Sequence, residues 1–138
     1  RLQRIPGVGP LTAIGFALAV DDPTRFPNQR AIGAYFGLVP RRDQTGTVDR
    51  LLGITKAGDP LIRRLLTQCA QVILVSNTRQ CDLKRFGERL MNSGKTNRKR
   101  AVSAVARKLA CHMLRVLKTN EPYDPNFLLG KEEKTAQA

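Results

Sequence analysis

Tryptophan is absent from this 138-residue sequence, histidine occurs once, and aromatic residues make up only 5% of it. A lone histidine, His112, excludes any two-histidine metal site and most imidazole-centred acid–base schemes. Scarce aromatics argue against an interface built on base stacking, and Tyr35, Phe36 and Phe86 fall at the spacing of a helical core. The three cysteines, Cys69, Cys81 and Cys111, are odd in number and isolated, so neither a disulfide framework nor a zinc site is expected. They read as core or half-buried thiols. Acidic residues are also few, 11 Asp+Glu against 24 Lys+Arg, which leaves a formal net charge of +13. That excess goes beyond what solubility requires and points to a polyanionic partner, nucleic acid first and an anionic surface second. No apolar run approaches the ~20 residues of a membrane span, and "RLQRIPGVGP" lacks a signal-peptide core. The expectation is a soluble, cytoplasmic, nucleoid-associated protein without a membrane partner, its length bounding one modest core.

What is present is helical. Leu11 to Val20 run apolar behind Pro10, a residue suited to the first helical turn, and "DDP" ends the run. Asn28 is placed to cap a short helix to about Phe36, with Gly37 as a left-handed stop. Asp59 and Pro60 open a helix to about Ser76, with Leu61, Ile62, Leu65, Leu66, Cys69, Val72 and Ile73 on its inner side. A shorter helix spans about Arg79 to Asn92 and stops at Gly94. The last runs from near Asn97 to about Lys118. Val102, Val105, Leu109, Met113 and Val116 form its apolar stripe, and Arg100, Arg107, Lys108, Arg115 and Lys118 the opposite one. These elements predict an all-α domain of four to five helices over residues 1–120, with a long glycine-containing basic loop, followed by a partly disordered tail over 121–138.

Three stretches carry candidate chemistry. In "IPGVGPLTA", Gly7 and Gly9 permit a tight turn, and the amides opening the next helix offer an anion site; the alternative is a plain helix–helix turn. The pattern resembles a helix-hairpin-helix, which holds sugar-phosphate backbone without reading bases. Only "RLQRI" would represent its first helix, so the sequence is expected to begin inside a larger protein. The second stretch, "GKTNRKRAVSAVARK", holds six basic residues and no acidic one. Lys95, Arg98, Lys99 and Arg100 cluster at a helix start, where the dipole disfavours cations unless an anion neutralises them. A solvated basic face is the alternative. In the third, Arg41, Arg42, Arg50 and Lys56 surround Gln44, Thr45, Gly46 and Thr47. Hydroxyls beside glycine among arginines suit attack on phosphorus, and also occur in ordinary loops.

Taken in order, "IPGVGPLTA", "RFPNQRAIGAYFGLVPRRDQTG", "LGITKAGDPLIRRLLTQCA" and "KRAVSAVARKLA" resemble the C-terminal domain of insertion-sequence transposases of the IS-one-ten family, over about residues 5 to 125. The resemblance implies a two-part DNA recombinase. An N-terminal RuvC-like domain would bind magnesium through a DEDD set of carboxylates, and the C-terminal domain would supply a serine that attacks DNA and becomes covalently joined to it. It further implies DNA and a bridge RNA as partners, a homo-oligomer in the full-length protein, and no metal or other cofactor in this chain. The family pattern of Arg, a polar spacer and Ser-Gly is matched by Arg42, Asp43, Gln44, Thr45 and Gly46, so threonine stands where serine is expected. Threonine keeps the hydroxyl, while its methyl restricts χ1 and crowds an in-line approach. By this resemblance Thr45 is the nucleophile position; the residues themselves add the expectation that Arg41, Arg42 and Lys56 stabilise phosphate charge, that Arg50 is a further nucleic-acid contact, and that Gly7, Gly9, Arg98, Lys99 and Arg100 hold nucleic-acid backbone. A non-catalytic nucleic-acid-binding module, and a basic scaffold for an acidic protein, are the rival readings. The isolated chain is expected to bind and not to cut.

Overall fold

The computed structural model describes residues 1–45, 48–75 and 79–126, without the side chains of 42–45 and 48–52. Among them are α1 (Pro10–Val20), α2 (Ala31–Tyr35), β1 (Pro40–Thr45), β2 (Val48–Ile54), α3 (Pro60–Val75), α4 (Asp82–Asn92) and α5 (Arg98–Thr119). Short 3-10 turns lie at Leu2–Arg4 and Pro23–Arg25. The architecture is mainly helical, as the patterning predicts.

Helix α5 is the centre of the fold, packed against α2, α3 and α4. All five residues of its predicted apolar stripe are buried. Ala101, Ala106, Ala110 and Leu114 are buried too, so the apolar arc is wider than the stripe. Each large side chain so enclosed contributes roughly 1.5–3 kcal/mol relative to exposure. Asn97 caps the helix, its Oδ1 accepting from the Arg100 amide at 2.9 Å, and Asn120 ends it in the left-handed region at φ 60°. The predicted polar stripe is corrected in part. Arg107, Lys108 and Arg115 are only half-exposed, because α2 and α4 flank that side of α5.

Asp59 Oδ1 accepts from the Leu61 amide at 2.8 Å and starts α3 where the sequence predicts. Its inner face is rotated from the predicted one. Leu61 and Val72 stay exposed at 54% and 48%, while Ala70 and Leu74 are buried, because α3 lies between α1 and α5. Helix α4 begins three residues later than expected. Cys81 is extended and buried, and the Asp82 amide donates to the Pro125 carbonyl at 2.8 Å, which draws residues 79–81 out of a helix. Ser76 and the tail beyond Asn126 lie outside the described residues. Among the described residues no helix is long and apolar enough to cross a membrane.

The predicted long basic loop is instead a β-hairpin followed by a short return. Thr45 pairs with Val48, Asp43 with Arg50 and Arg42 with Leu51, in antiparallel register. A register shift between Pro40 and Arg42 gives β2 one extra residue near Gly53, which the glycine accommodates as a bulge. The strands were hidden because charged residues interrupt the apolar alternation on which strand recognition depends. The hairpin pairs chiefly with itself, and its base joins the turn that follows α2. There the Gly37 amide donates to Ala34 and the Leu38 amide to Gly33, a Schellman turn with Gly37 at φ 72°. The Lys56 amide returns to the Gly37 carbonyl at 3.1 Å, and Arg63 Nη1 donates to the carbonyls of Phe36 and Ala57. Gly58, at φ 82°, abuts the Tyr35 carbonyl where no Cβ would fit.

Candidate nucleic-acid interface

Three basic surfaces emerge from these elements. The first is the turn ahead of α1. Gly7 has φ 82° and lies against α3, where a Cβ would stand 3.0 Å from the Cys69 carbonyl and 3.0 Å from Ile73 Cγ1. Close packing requires that glycine. Gly9, the N-cap of α1, is extended at φ −90°, and a Cβ there would meet nothing within 4 Å. Pro10 has no N–H and the Ala13 amide is taken by the Gly9 carbonyl, so the donors that open the helix are the Leu11 and Thr12 amides. Cys69 itself is buried and donates to Thr12 Oγ1 at 3.6 Å, and burial pushes its thiol pKa up.

The second surface is the hairpin. Thr45 is the last residue of β1, and Arg41 and Lys56 stand at the hairpin base. Thr45 lies four residue steps along the strand from Arg41, about 13 Å of backbone rise. The structure therefore does not gather the predicted cations evenly around Thr45. Arg42 is three residues from Thr45, and Arg50 two residues beyond its partner Val48. The side chains of Arg42, Thr45 and Arg50 lie outside the described ones, as do Gly46 and Thr47 altogether.

The third is the start of α5, where Arg98, Lys99 and Arg100 are all exposed and no acidic residue occupies the first turn. Nothing in this turn offsets the dipole's preference for anions. Tyr35, predicted as core, is 42% exposed; its ring meets Phe26 and Phe36 edge-on, and the Arg25 guanidinium lies 5.3 Å from its centroid. Phe36 is fully buried, as expected, and Phe86 is partly buried against the core.

A cationic cleft was missed by sequence reasoning. It lies between the segment around Arg30, α4 and α5, encloses about 850 Å³, and is lined by Arg30, Phe86, Arg107, Lys108, His112 and Arg115 among others. Burial, with repulsion from Arg89, pushes the Lys108 ammonium below its ordinary pKa. The His112 pKa is pushed down to about 4, by burial first and then by Lys108 and Arg115 against the opposing pull of Asp82. Imidazole there is neutral at neutral pH. The helical period of α5 was the only sequence signal, and it could not announce Arg30 from a distant loop.

The described residues thus make a basic helical domain bearing a self-paired two-stranded arm. The chain belongs to the transposase IS116/IS110/IS902 family, whose profile matches residues 1–87. It is similar to the transposase for insertion sequence element IS1328 of Yersinia enterocolitica, 46% identical over 74 residues that cover 54% of this chain and 22% of that protein. The transposase for insertion sequence element IS1111A of Coxiella burnetii is 43% identical over 74 residues, 54% of this chain and 20% of that protein. A longer match, 31% over 124 residues, joins 89% of this chain to 38% of the pilin gene-inverting protein of Moraxella bovis. The chain thus matches about a fifth of the length of the first two relatives.

Proposed function

We propose that this chain supplies the attacking hydroxyl and part of the nucleic-acid grip of a DNA transposase, with Thr45 as the nucleophile. The observation that carries the reading is the run Arg42, Asp43, Gln44, Thr45, Gly46 at the turn end of a hairpin, in a chain of the transposase IS116/IS110/IS902 family. The names of the relatives, insertion-sequence transposases and a gene-inverting protein, support DNA rearrangement as the whole protein's activity. In the proposed step Thr45 Oγ1 forms a bond to a backbone phosphorus. The displaced strand oxygen leaves with a proton, and the hydroxyl proton passes to a base outside the described residues. A hydroxyl of another strand then reverses the step and frees Thr45. Arg42 and Arg50 hold the non-bridging oxygens, while Arg41 and Lys56 at the hairpin base hold phosphates further along the strand. Gly9, Arg98, Lys99 and Arg100 bind backbone elsewhere, and Gly7 shapes the turn that presents Gly9.

Among the described residues no group of three or more His, Cys, Asp or Glu could hold a metal ion, so these residues do not fit the magnesium site expected of the family. We assign that ion to a RuvC-like part of the full-length protein, along with a bridge RNA and a second copy as further partners. The test is a denaturant-stable protein–DNA adduct formed by the full-length protein with its RNA and magnesium. Thr45→Ala abolishes the adduct and Thr45→Ser keeps or raises it; normal recombination by Thr45→Ala overturns the assignment. The threonine methyl favours one second reading, a nucleic-acid grip without chemistry. Binding that persists in a wild-type protein forming no adduct selects it.

A further inference from the structure

The cleft beside α5 concentrates cations, among them Arg30, Arg107 and Lys108. Arg30, Arg107 and Lys108 all act on the Cys111 thiol, so two distant parts of the chain bring their charges to one place. No acidic residue is among its described lining residues. Neither Arg30 nor Arg107 makes an ion pair among the described residues. Of the nearby carboxylates, Asp82 pairs with Arg85 at 2.7 Å and also acts on Lys108, and Glu121 pairs at 3.8 Å with Arg115 at the edge of the cleft, which leaves Arg30 and Arg107 as its unpaired cations among the described residues. Packing also fixes one of the cations in position. The Arg107 stem runs over Gly33 of α2, where a Cβ would stand 2.7 Å from Arg107 Cγ, so the glycine reserves that path. Lys108 Nζ is held 4.0 Å above the centre of the Phe86 ring.

Gathering like charges in a half-buried cleft is unfavourable. An anion removes that cost. At about 850 Å³ the cleft has the capacity of a ligand site, and it is not closed off from the surface, so a segment of a strand's backbone can lie in it. We propose that this cleft seats a phosphodiester backbone on Arg30, Arg107 and Lys108, as a second track separate from the hairpin and from the exposed start of α5. The inference rests on the nucleic-acid reading above and adds a site to it.

The test titrates the full 138-residue chain into a fluorescein-labelled single strand and into the matching duplex, over a series of salt concentrations. Arg30→Gln/Arg107→Gln loses about tenfold or more in affinity for at least one probe. It also flattens the slope of log K against log salt, by about 1.8 on duplex or about 1.4 on single strand. The probe with the larger loss identifies the form of nucleic acid seated. A second measurement needs no variant. Cys111 is the only partly exposed thiol among the described residues, and saturating probe protects it from alkylation in wild type. That protection decides the matter if the double variant fails to fold. Wild type that binds neither probe overturns the nucleic-acid reading and the cleft with it. Wild type that binds, with an unchanged double variant or unprotected Cys111, overturns the cleft alone.

Discussion

Gly33 of α2 and Arg107 of α5 touch with no room for a methyl group between them, a Cβ at position 33 coming within 2.7 Å of Arg107 Cγ and 3.1 Å of its Cδ. Two effects compete in Gly33→Ala. Alanine is favoured over glycine in a helix by about 1 kcal/mol, and overpacking costs about 1–3 kcal/mol. The obstructing atoms belong to a flexible stem that can swing aside, so the overpacking term falls at its low end. Unfolding free energy is therefore expected to change by less than about 1 kcal/mol in a denaturant titration. The displaced stem carries its guanidinium out of the cleft, and nucleic-acid affinity drops severalfold. A severely destabilised Gly33→Ala, or one binding as wild type does, refutes this account of the contact.

Gly87 of α4 presents the opposite balance. A Cβ there would overlap Leu74 Cδ2 and stand 2.8 Å from Val105 Cγ2, at the place where α3, α4 and α5 meet. Leu74 can rotate, but Val105 is β-branched, fully buried and restricted at χ1. Strain outweighs the gain in helix propensity, and Gly87→Ala is expected to destabilise the domain by about 1–2 kcal/mol. Thermal melting of the variant reads this directly; a raised melting temperature would show that the three-helix junction is looser than the packing implies.

His112 gives the domain an acid sensitivity. In the unfolded chain the imidazole takes up its proton near 6.5, whereas in the folded protein burial and the Lys108 and Arg115 charges hold that step to about 4. The unfolded state therefore binds more protons between these values, and stability falls as pH drops from about 6.5 to about 4. Above that window His112 is neutral in both states and the contribution is complete. The loss amounts to at most about 3 kcal/mol. Unfolding midpoints at neutral pH and near pH 5, for wild type and His112→Gln, check it: the glutamine variant should show the shallower pH dependence. Equal slopes would mean that carboxylates alone set the acid limit.

Helix ends were the most legible part of this sequence. Asn97, Asp59 with Pro60, and Gly37 each announce a boundary through chemistry confined to two or three neighbouring residues. Pairing between strands is less local, and the alternation of β1 and β2 is masked by Arg41, Arg42, Asp43, Asp49 and Arg50. The rotated face of α3 has a similar cause, since periodicity gives an apolar arc and only α1 and α5 decide which part of it is covered. Of the candidate site, the stretch from Arg42 to Gly46 was legible through family resemblance. The cleft was not, because Arg30, the N-cap of α2, and Arg107 of α5 are brought together where Gly33 of α2 packs on α5, a relationship that no local pattern encodes.

Gly7 and Gly9 were read together as one phosphate turn, and the structure gives them separate reasons. At Gly7 the positive φ and the contacts with Cys69 and Ile73 are internal demands, so Gly7→Ala is expected to cost about 1–3 kcal/mol of stability whether or not nucleic acid is present. At Gly9 the extended backbone suits any residue and the space around it is empty, so the cost of Gly9→Ala is confined to the N-cap preference of glycine over alanine, about 1 kcal/mol or less. Apart from that N-cap preference, nothing among the described residues calls for a glycine at that position. On the function proposed above, an outside surface approaches this backbone closely, and a methyl group there would hold a phosphate away from the Leu11 and Thr12 amides. Gly9→Ala is accordingly expected to fold as wild type and to bind nucleic acid several times more weakly, with titration and melting carried out on the same preparation. Undiminished binding by a fully folded Gly9→Ala removes this turn from the interface and leaves the cationic surfaces to carry it.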